Sequence, residues 1–84
     1  MPRFYLHLFN AIDARDHEGR ELPDVATAKA AAAKEIQSII SGDAKDGRLD
    51  LRGRIDIADA DGRFLATVKF IEAVELILPE PAYD

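Results

Sequence analysis

Two histidines and a group of acids near them are the residues of this 84-residue chain best suited to chemistry. His7 lies in an alternating apolar segment, and His17 lies in the polar stretch that follows it. The carboxylates nearby are those of Asp13, Asp16 and Glu18. Two imidazoles and a carboxylate are a sufficient donor set for a transition metal. No spacing forces the histidines together, so we expect no metal site, with His7 packed between Tyr5 and Phe9 and His17 in solvent.

Residues 56–62, DIADADG, have the acid and glycine content of a calcium-binding loop. With Gly62 at the sixth position of such a loop, Ile57 falls at the first position and Val68 at the twelfth, where ligating acids are required. Both ends fail, so the segment predicts a polar hairpin turn instead. We therefore expect neither a bound metal nor a cofactor.

Nucleophiles for covalent catalysis are few. The serines and threonines are Ser38, Ser41, Thr27 and Thr67, and nothing local places a histidine and an acid beside any of them. The five glycines are scattered singly, so there is no glycine-rich phosphate loop. The chain has no cysteine, which excludes thiol catalysis and disulfides within it. We expect a protein that is not an enzyme.

A long β-hairpin over residues 49–70 is the element that the sequence predicts most clearly. Apolar residues alternate with charged ones along its first strand, which is typical of a strand with one buried face. The apolar phase consists of Leu49, Leu51, Ile55 and Ile57, with Gly53 among them. Asp61 and Gly62 form the strongest short signal for a hairpin turn.

The length of this turn decides which residues face each other. A two-residue turn places Ile57 opposite Ala66, whereas a three-residue loop places Ile57 opposite Leu65. We favour the shorter turn, because it collects the apolar residues of both strands on one face. That face would consist of Ile55, Ile57, Phe64, Ala66, Val68 and Phe70. The same register opposes Arg54 to Lys69, a like-charge pair that an acidic partner would relieve.

The remaining elements complete a small α+β domain. Residues 3–9 predict a strand, residues 20–22 a short returning strand, and residues 70–74 one helical turn. Asp24 is suited to cap a helix, which ends either at Gly42 or after Lys45 at Gly47. Its apolar positions are Val25, Ala28, Ala32, Ile36, Ile39 and Ile40. The predicted fold is a mainly antiparallel sheet of three or four strands with one main helix on one face, in the order β-(β)-α-β-β.

A single helix covers only one face of such a sheet, so the other face needs a different cover. If Phe4, Leu6 and Leu8 face the helix, the alternate residues of the first strand lie on the open side. The interaction surface predicted there consists of Tyr5, His7, Phe9, Arg54, Leu65 and Lys69. Exposed aromatic residues in a row are typical of association surfaces. The sequence leaves open whether a loop folds across them.

The net charge of −5 bears on the kind of partner. Acids dominate residues 10–24 and 69–84, which opposes binding to nucleic acid or to an anionic membrane. No apolar run approaches the ~20 residues of a membrane span. The first residues lead directly into a strand without a long apolar region. We expect a cytoplasmic protein, with one domain over residues 1–78 and a flexible tail at 79–84.

Three segments, MPRFYLHLFN, GRELPDVATAKAAAAKEI and GRLDLRGRIDIADADGRFLATVKFIEAVEL, resemble a family of small bacterial proteins known only as a domain of unknown function. The resemblance covers about residues 1–78 and preserves the order and spacing of the segments. It implies a bacterial origin and a small α+β domain. It implies no catalytic residues, because the family has no established activity.

These observations favour an interaction module that self-associates, as a dimer, or binds a protein partner through the open sheet face or a strand edge. The alternative is an accessory domain that binds a small molecule or a metal through His7 and nearby acids. A nucleic-acid-associated regulator is a third class, which the charge disfavours.

Overall fold

Four strands and two helices make up the part of the chain, residues 1–81, that this computed structural model describes. The strands are β1 (Arg3–Phe9), β2 (Arg20–Glu21), β3 (Arg54–Ala58) and β4 (Phe64–Lys69), and the helices are α1 (Val25–Lys45) and α2 (Phe70–Ala73). All strand pairs are antiparallel, and the sheet has the order β2-β1-β3-β4. The predicted α+β class and the β-β-α-β-β order are confirmed.

The core lies between α1 and one face of the sheet. Its buried residues are Phe4, Leu6, Ala28, Ala32, Ile36, Ile55, Ile57, Val68 and Phe70. Ala28, Ala32 and Ile36 are four residues apart, so they lie on one side of α1. Phe4 and Leu6 alternate with half-buried residues, as the pattern of β1 predicts.

Both ends of α1 follow from the chemistry of the residues found there. The Asp24 carboxylate accepts the Thr27 backbone N–H over 2.8 Å, as the predicted N-cap. The helix runs to Lys45, the later of its two predicted ends. Gly47 has a φ of 79° and donates its N–H to the Ala44 carbonyl over 3.0 Å. This left-handed glycine stops the helix by giving a terminal carbonyl a partner.

Replacing Asp24 with alanine is expected to lower the melting temperature by several degrees, because the first turn of α1 loses its cap. Asp24→Ser is the matched control, since a serine hydroxyl accepts the same N–H and should preserve most of the stability. Thermal unfolding followed by circular dichroism compares the two. Equal melting temperatures for both variants would show that the cap does not stabilise the domain.

The hairpin between β3 and β4 closes with a three-residue loop, so the predicted two-residue turn is wrong. The Asp59 N–H donates to the Arg63 carbonyl and the Gly62 N–H donates to the Asp59 carbonyl, each over 3.0 Å. Gly62 has a φ of 81°, which glycine adopts without steric cost. The Asp59 carboxylate also accepts the N–H groups of Asp61 and Arg63 at 3.0 and 2.9 Å. Asp59 thereby stabilises the longer loop.

A β-bulge then restores the predicted register. Ile57 lies opposite Ala66, whereas Ala58 lies opposite Phe64, so Leu65 is the extra residue. Phe64, predicted in the core, is 62% exposed. Leu65, predicted on the open side, packs partly against the core. Both placements were wrong because a pattern with period two does not reveal an inserted residue.

Residues 48–53 form no regular secondary structure, although the sequence predicts a strand from residue 49. The Asp50 carboxylate accepts the Arg52 backbone N–H over 3.1 Å and pairs with the Arg52 guanidinium at 2.9–3.0 Å. Such a local hydrogen bond competes with strand pairing. Gly53 permits a close approach of the Phe70 ring. A Cβ at Gly53 would lie 3.0 Å from the Phe70 ring.

Residues 74–81, which we call the C-terminal arm, follow α2 without regular secondary structure. The predicted helical turn before the arm is confirmed as α2. The longest dimension of the structure is 57 Å, compared with about 31 Å for a helix as long as α1, so the arm projects beyond the packed layers. A flexible tail at 79–84 stays a prediction, and residues 82–84 lie outside the described part. Neither helix within residues 1–81 is long and apolar enough to cross a membrane.

Candidate interaction surface

The sheet face opposite α1 carries nine side chains in three rows, which we call the open face. From β1 to β4 the rows are Phe9, Arg54 and Lys69; His7, Asp56 and Thr67; and Tyr5, Ala58 and Phe64. Residues directly opposite each other share a face of the sheet. Both helices lie on the other side, because α1 packs on the core face and α2 packs against α1.

Five of the six residues predicted for the interaction surface lie on the open face. Tyr5, His7 and Phe9 are half-buried, and Arg54 and Lys69 are exposed. Leu65 does not join them, and Phe64 is the residue that the sequence analysis missed. The sequence of the loop before Phe64 could have indicated this placement. A three-residue loop ending in glycine is a common alternative to the two-residue turn.

The Arg54 side chain is held by its own sheet. Its guanidinium carbon lies 4.5 Å from the centre of the Phe9 ring, a distance at which a cation is attracted to an aromatic face. Its Nε donates to Asp56 Oδ1 over 3.2 Å, and Thr67 Oγ1 donates to the same oxygen over 2.8 Å. Lys69, directly opposite Arg54, forms no ion pair within residues 1–81. The predicted like-charge pair thus leaves one unpaired cation.

His7 connects the open face to the loop that follows β1. Its ring stacks with that of Tyr5, with centroids 6.5 Å apart and planes at 14°. Its Nδ1 accepts the backbone N–H of Asp16 over 3.0 Å. An accepting Nδ1 carries no proton, so this geometry assigns the ring proton to Nε2. The imidazole is therefore oriented by the loop, as a structural contact would require.

The Asp16 carboxylate binds backbone N–H groups at a position where no strand pairs with the outer edge of β1. It accepts the backbone N–H groups of Leu6, Glu18 and Gly19 at 3.1, 3.1 and 2.9 Å. Burial raises the pKa of Asp16, but these hydrogen bonds outweigh that effect and hold the pKa below its ordinary value of 3.8. The ionised carboxylate is thus the form that the fold stabilises.

The outer edge of β1 is closed along most of its length. Leu8 and Ala14 exchange backbone hydrogen bonds at 2.8 and 2.9 Å, Asp16 covers the Leu6 N–H, and β2 pairs with the start of the strand. The loop therefore lies beside β1, and on the open face Arg54, Phe64 and Lys69 stay exposed. The sheet ends at β2, which has two residues, and at β4, which has six.

Within residues 1–81, no three or more His, Asp or Glu side chains are placed to hold a metal ion together. His7 Nδ1 and both Asp16 oxygens already accept backbone N–H groups. The alternative of a metal- or small-molecule-binding domain therefore stays a prediction that no contact in the described chain favours.

The chain is a small α+β domain whose sheet packs against a helix on one side and leaves an aromatic and charged face on the other. Residues 3–71 match a family described as Domain of unknown function (DUF6894). Since the match covers most of the chain, the protein belongs to this family, and the resemblance stated from the sequence is confirmed. No curated protein and no solved structure matches the chain.

Proposed function

We propose that the protein is a cytoplasmic interaction module, not an enzyme, and that it self-associates into a dimer through its open face. The observation that carries this proposal is Phe64, an aromatic residue 62% exposed in the same row as Tyr5. Aromatic side chains are enriched at interfaces because each buries a large area at a low entropic cost. A bulge that turns a phenylalanine outward, where a regular strand would bury it, supports an interaction role for this face.

The charges at the other end of the open face support selectivity. Lys69 is exposed, opposite Arg54 and without an acidic partner within residues 1–81. The chain as a whole is acidic, with a net charge of −5. An interface that buries the aromatic row and brings acids to this cationic end is therefore complementary in charge. The aromatic residues would supply affinity and the charges would supply orientation.

Replacing Phe64 with glutamate is expected to raise the dimer dissociation constant at least tenfold, since a charge buried in the interface is left without a partner. Tyr5→Glu should have the same direction of effect. Sedimentation equilibrium on the full chain measures the constants. Phe64 is mostly exposed, so its variant should keep the fold of the monomer.

Ile12→Glu is the matched control, because Ile12 is 76% exposed but lies outside the open face, in the loop beside Leu8. Its dissociation constant should stay within about twofold of the wild-type value. Phe64→Glu and Ile12→Glu having the same effect would contradict the proposal, as would a wild-type chain that is monomeric at millimolar concentration.

A further inference from the structure

The C-terminal arm carries aliphatic residues that no part of the described chain covers. Ile77 is 80% exposed and Leu78 is 70% exposed. The arm begins at α2, where the Gln37 amide of α1 donates to the Ala73 carbonyl over 2.9 Å. The chain is therefore anchored on the helix side of the sheet before the arm projects away. Consecutive exposed aliphatic residues on an extended segment are typical of a strand that pairs with another chain.

The edge of β4 offers backbone groups for such pairing. The Phe70 N–H donates to the Gly53 carbonyl over 2.9 Å, and bonded pairs alternate along an antiparallel ladder. Val68 is thus bonded to β3, while the backbone groups of Thr67 and Lys69 point away from it. The Lys69 N–H is already taken by Glu72 Oε1 at 3.0 Å. Within residues 1–81, Thr67 is left with its N–H and carbonyl at an open edge.

We propose that the arm of one chain pairs with the β4 edge of a second copy, and that two copies exchange arms in this way. The proposal rests on the self-association proposed above and names the segment that completes it. Because each chain carries one arm and one open edge, a two-fold exchange satisfies both chains and closes the assembly. The arm has five residues before Pro79, or about 17 Å of strand, which is enough to follow five of the six residues of β4.

The charges indicate which side chains of the arm would lie on the open face and which on the core face. Side chains alternate along a strand, so Glu75 and Ile77 share one side and Leu76 and Leu78 share the other. With Glu75 and Ile77 on the open face, Glu75 lies on the side that carries the unpaired cation Lys69. Leu76 and Leu78 then extend the core face. This arrangement provides an acidic partner for Lys69.

The area of the open face also calls for an additional contact. Three strands about 4.8 Å apart and five residues at about 3.4 Å each give a face of roughly 240 Å². A stable interface buries about 800 Å² on each partner. The open face alone is therefore smaller than a typical stable interface, and its dimer would gain from a further contact. Exchanged arms supply further apolar area at its β4 side.

Hydrogen exchange at single amides tests the pairing in the full chain. The Thr67 amide should exchange at least tenfold more slowly at a concentration where the protein is dimeric than where it is monomeric. The Lys69 amide is the internal control, because its hydrogen bond to Glu72 lies within one chain and should not depend on concentration. Thr67 exchange that is unchanged while a dimer forms would overturn the arm exchange and leave the proposed function standing.

Ile77→Glu provides the second measurement, with Ile12→Glu as the matched control. Ile77→Glu should raise the dimer dissociation constant at least tenfold, and Ile12→Glu should leave it within about twofold. If Phe64→Glu weakens the dimer and Ile77→Glu does not, the arm exchange is wrong and association through the open face stands. If the wild-type chain never dimerises, the proposed function and the arm exchange are both wrong.

Discussion

Replacing Phe70 with alanine is expected to lower the free energy of unfolding by about 3–5 kcal/mol, the largest loss we expect from one substitution. The Phe70 side chain is 1% exposed and packs in the core. Its ring also lies against Gly53, where even a Cβ would come within 3.0 Å. Gly53 has no side chain to fill the space that alanine leaves, so the cavity should persist. Urea denaturation at a concentration that favours the monomer measures the loss.

Phe64→Ala is the matched control, because it removes the same ring from a site that is 62% exposed. Its cost should be below about 0.5 kcal/mol, as for other surface substitutions. Similar losses for the two phenylalanine variants would mean that Phe64 is covered in the monomer. That result would contradict the placement of Phe64 on the open face and with it the proposed function.

Features that depend on neighbouring residues could be predicted from the sequence. Asp24 caps α1 because its carboxylate needs only an N–H three residues away. Gly47 ends the helix because its own left-handed conformation does so. The opposition of Ile57 to Ala66 followed from collecting the apolar residues on one face. In each case a single local interaction or a strict period decides the structure.

Features set by a competition between interactions could not be predicted in this way. Asp59 favours a loop of three residues over one of two by accepting the N–H groups of Asp61 and Arg63. Asp50 likewise bonds to Arg52, and the strand that the alternation predicts from residue 49 begins only at Arg54. In both places an acidic side chain takes a backbone donor, and the hydrophobic pattern carries no record of it.

The residues of the open face also divide into those that the sequence could place and those that it could not. The alternation along β1 placed Tyr5, His7 and Phe9 together, and the sheet register added Arg54 and Lys69. These placements depend on which face each residue occupies, and a period of two determines that. That Phe64 lies on the open face in place of Leu65 depends on a bulge of one residue. The relation between His7 and Asp16 depends on how a ten-residue loop returns to its strand, which no periodic pattern describes.

Replacing Asp16 with alanine is expected to lower the free energy of unfolding by about 2 kcal/mol, because three backbone N–H groups lose a charged acceptor. The part-buried N–H of Leu6 is the most affected, since it points to an edge that no strand covers at that position. Partial solvent access limits the loss, as water can replace Asp16 at the N–H groups of Glu18 and Gly19. Chemical denaturation at neutral pH measures the difference from the wild type.

The pH dependence of this difference separates the charge of Asp16 from its shape. Asp16→Asn preserves an acceptor oxygen but does not titrate, so it is the control. The folded pKa of Asp16 is below its ordinary 3.8, so its carboxylate stabilises the fold fully above that value and loses its effect as pH falls below it. The stability gap between wild type and Asp16→Asn should therefore be constant above about pH 5 and should shrink below pH 4. A gap that stays constant down to pH 2.5 would show that the Asp16 charge does not hold the loop against β1, and that the orientation of His7 has another cause.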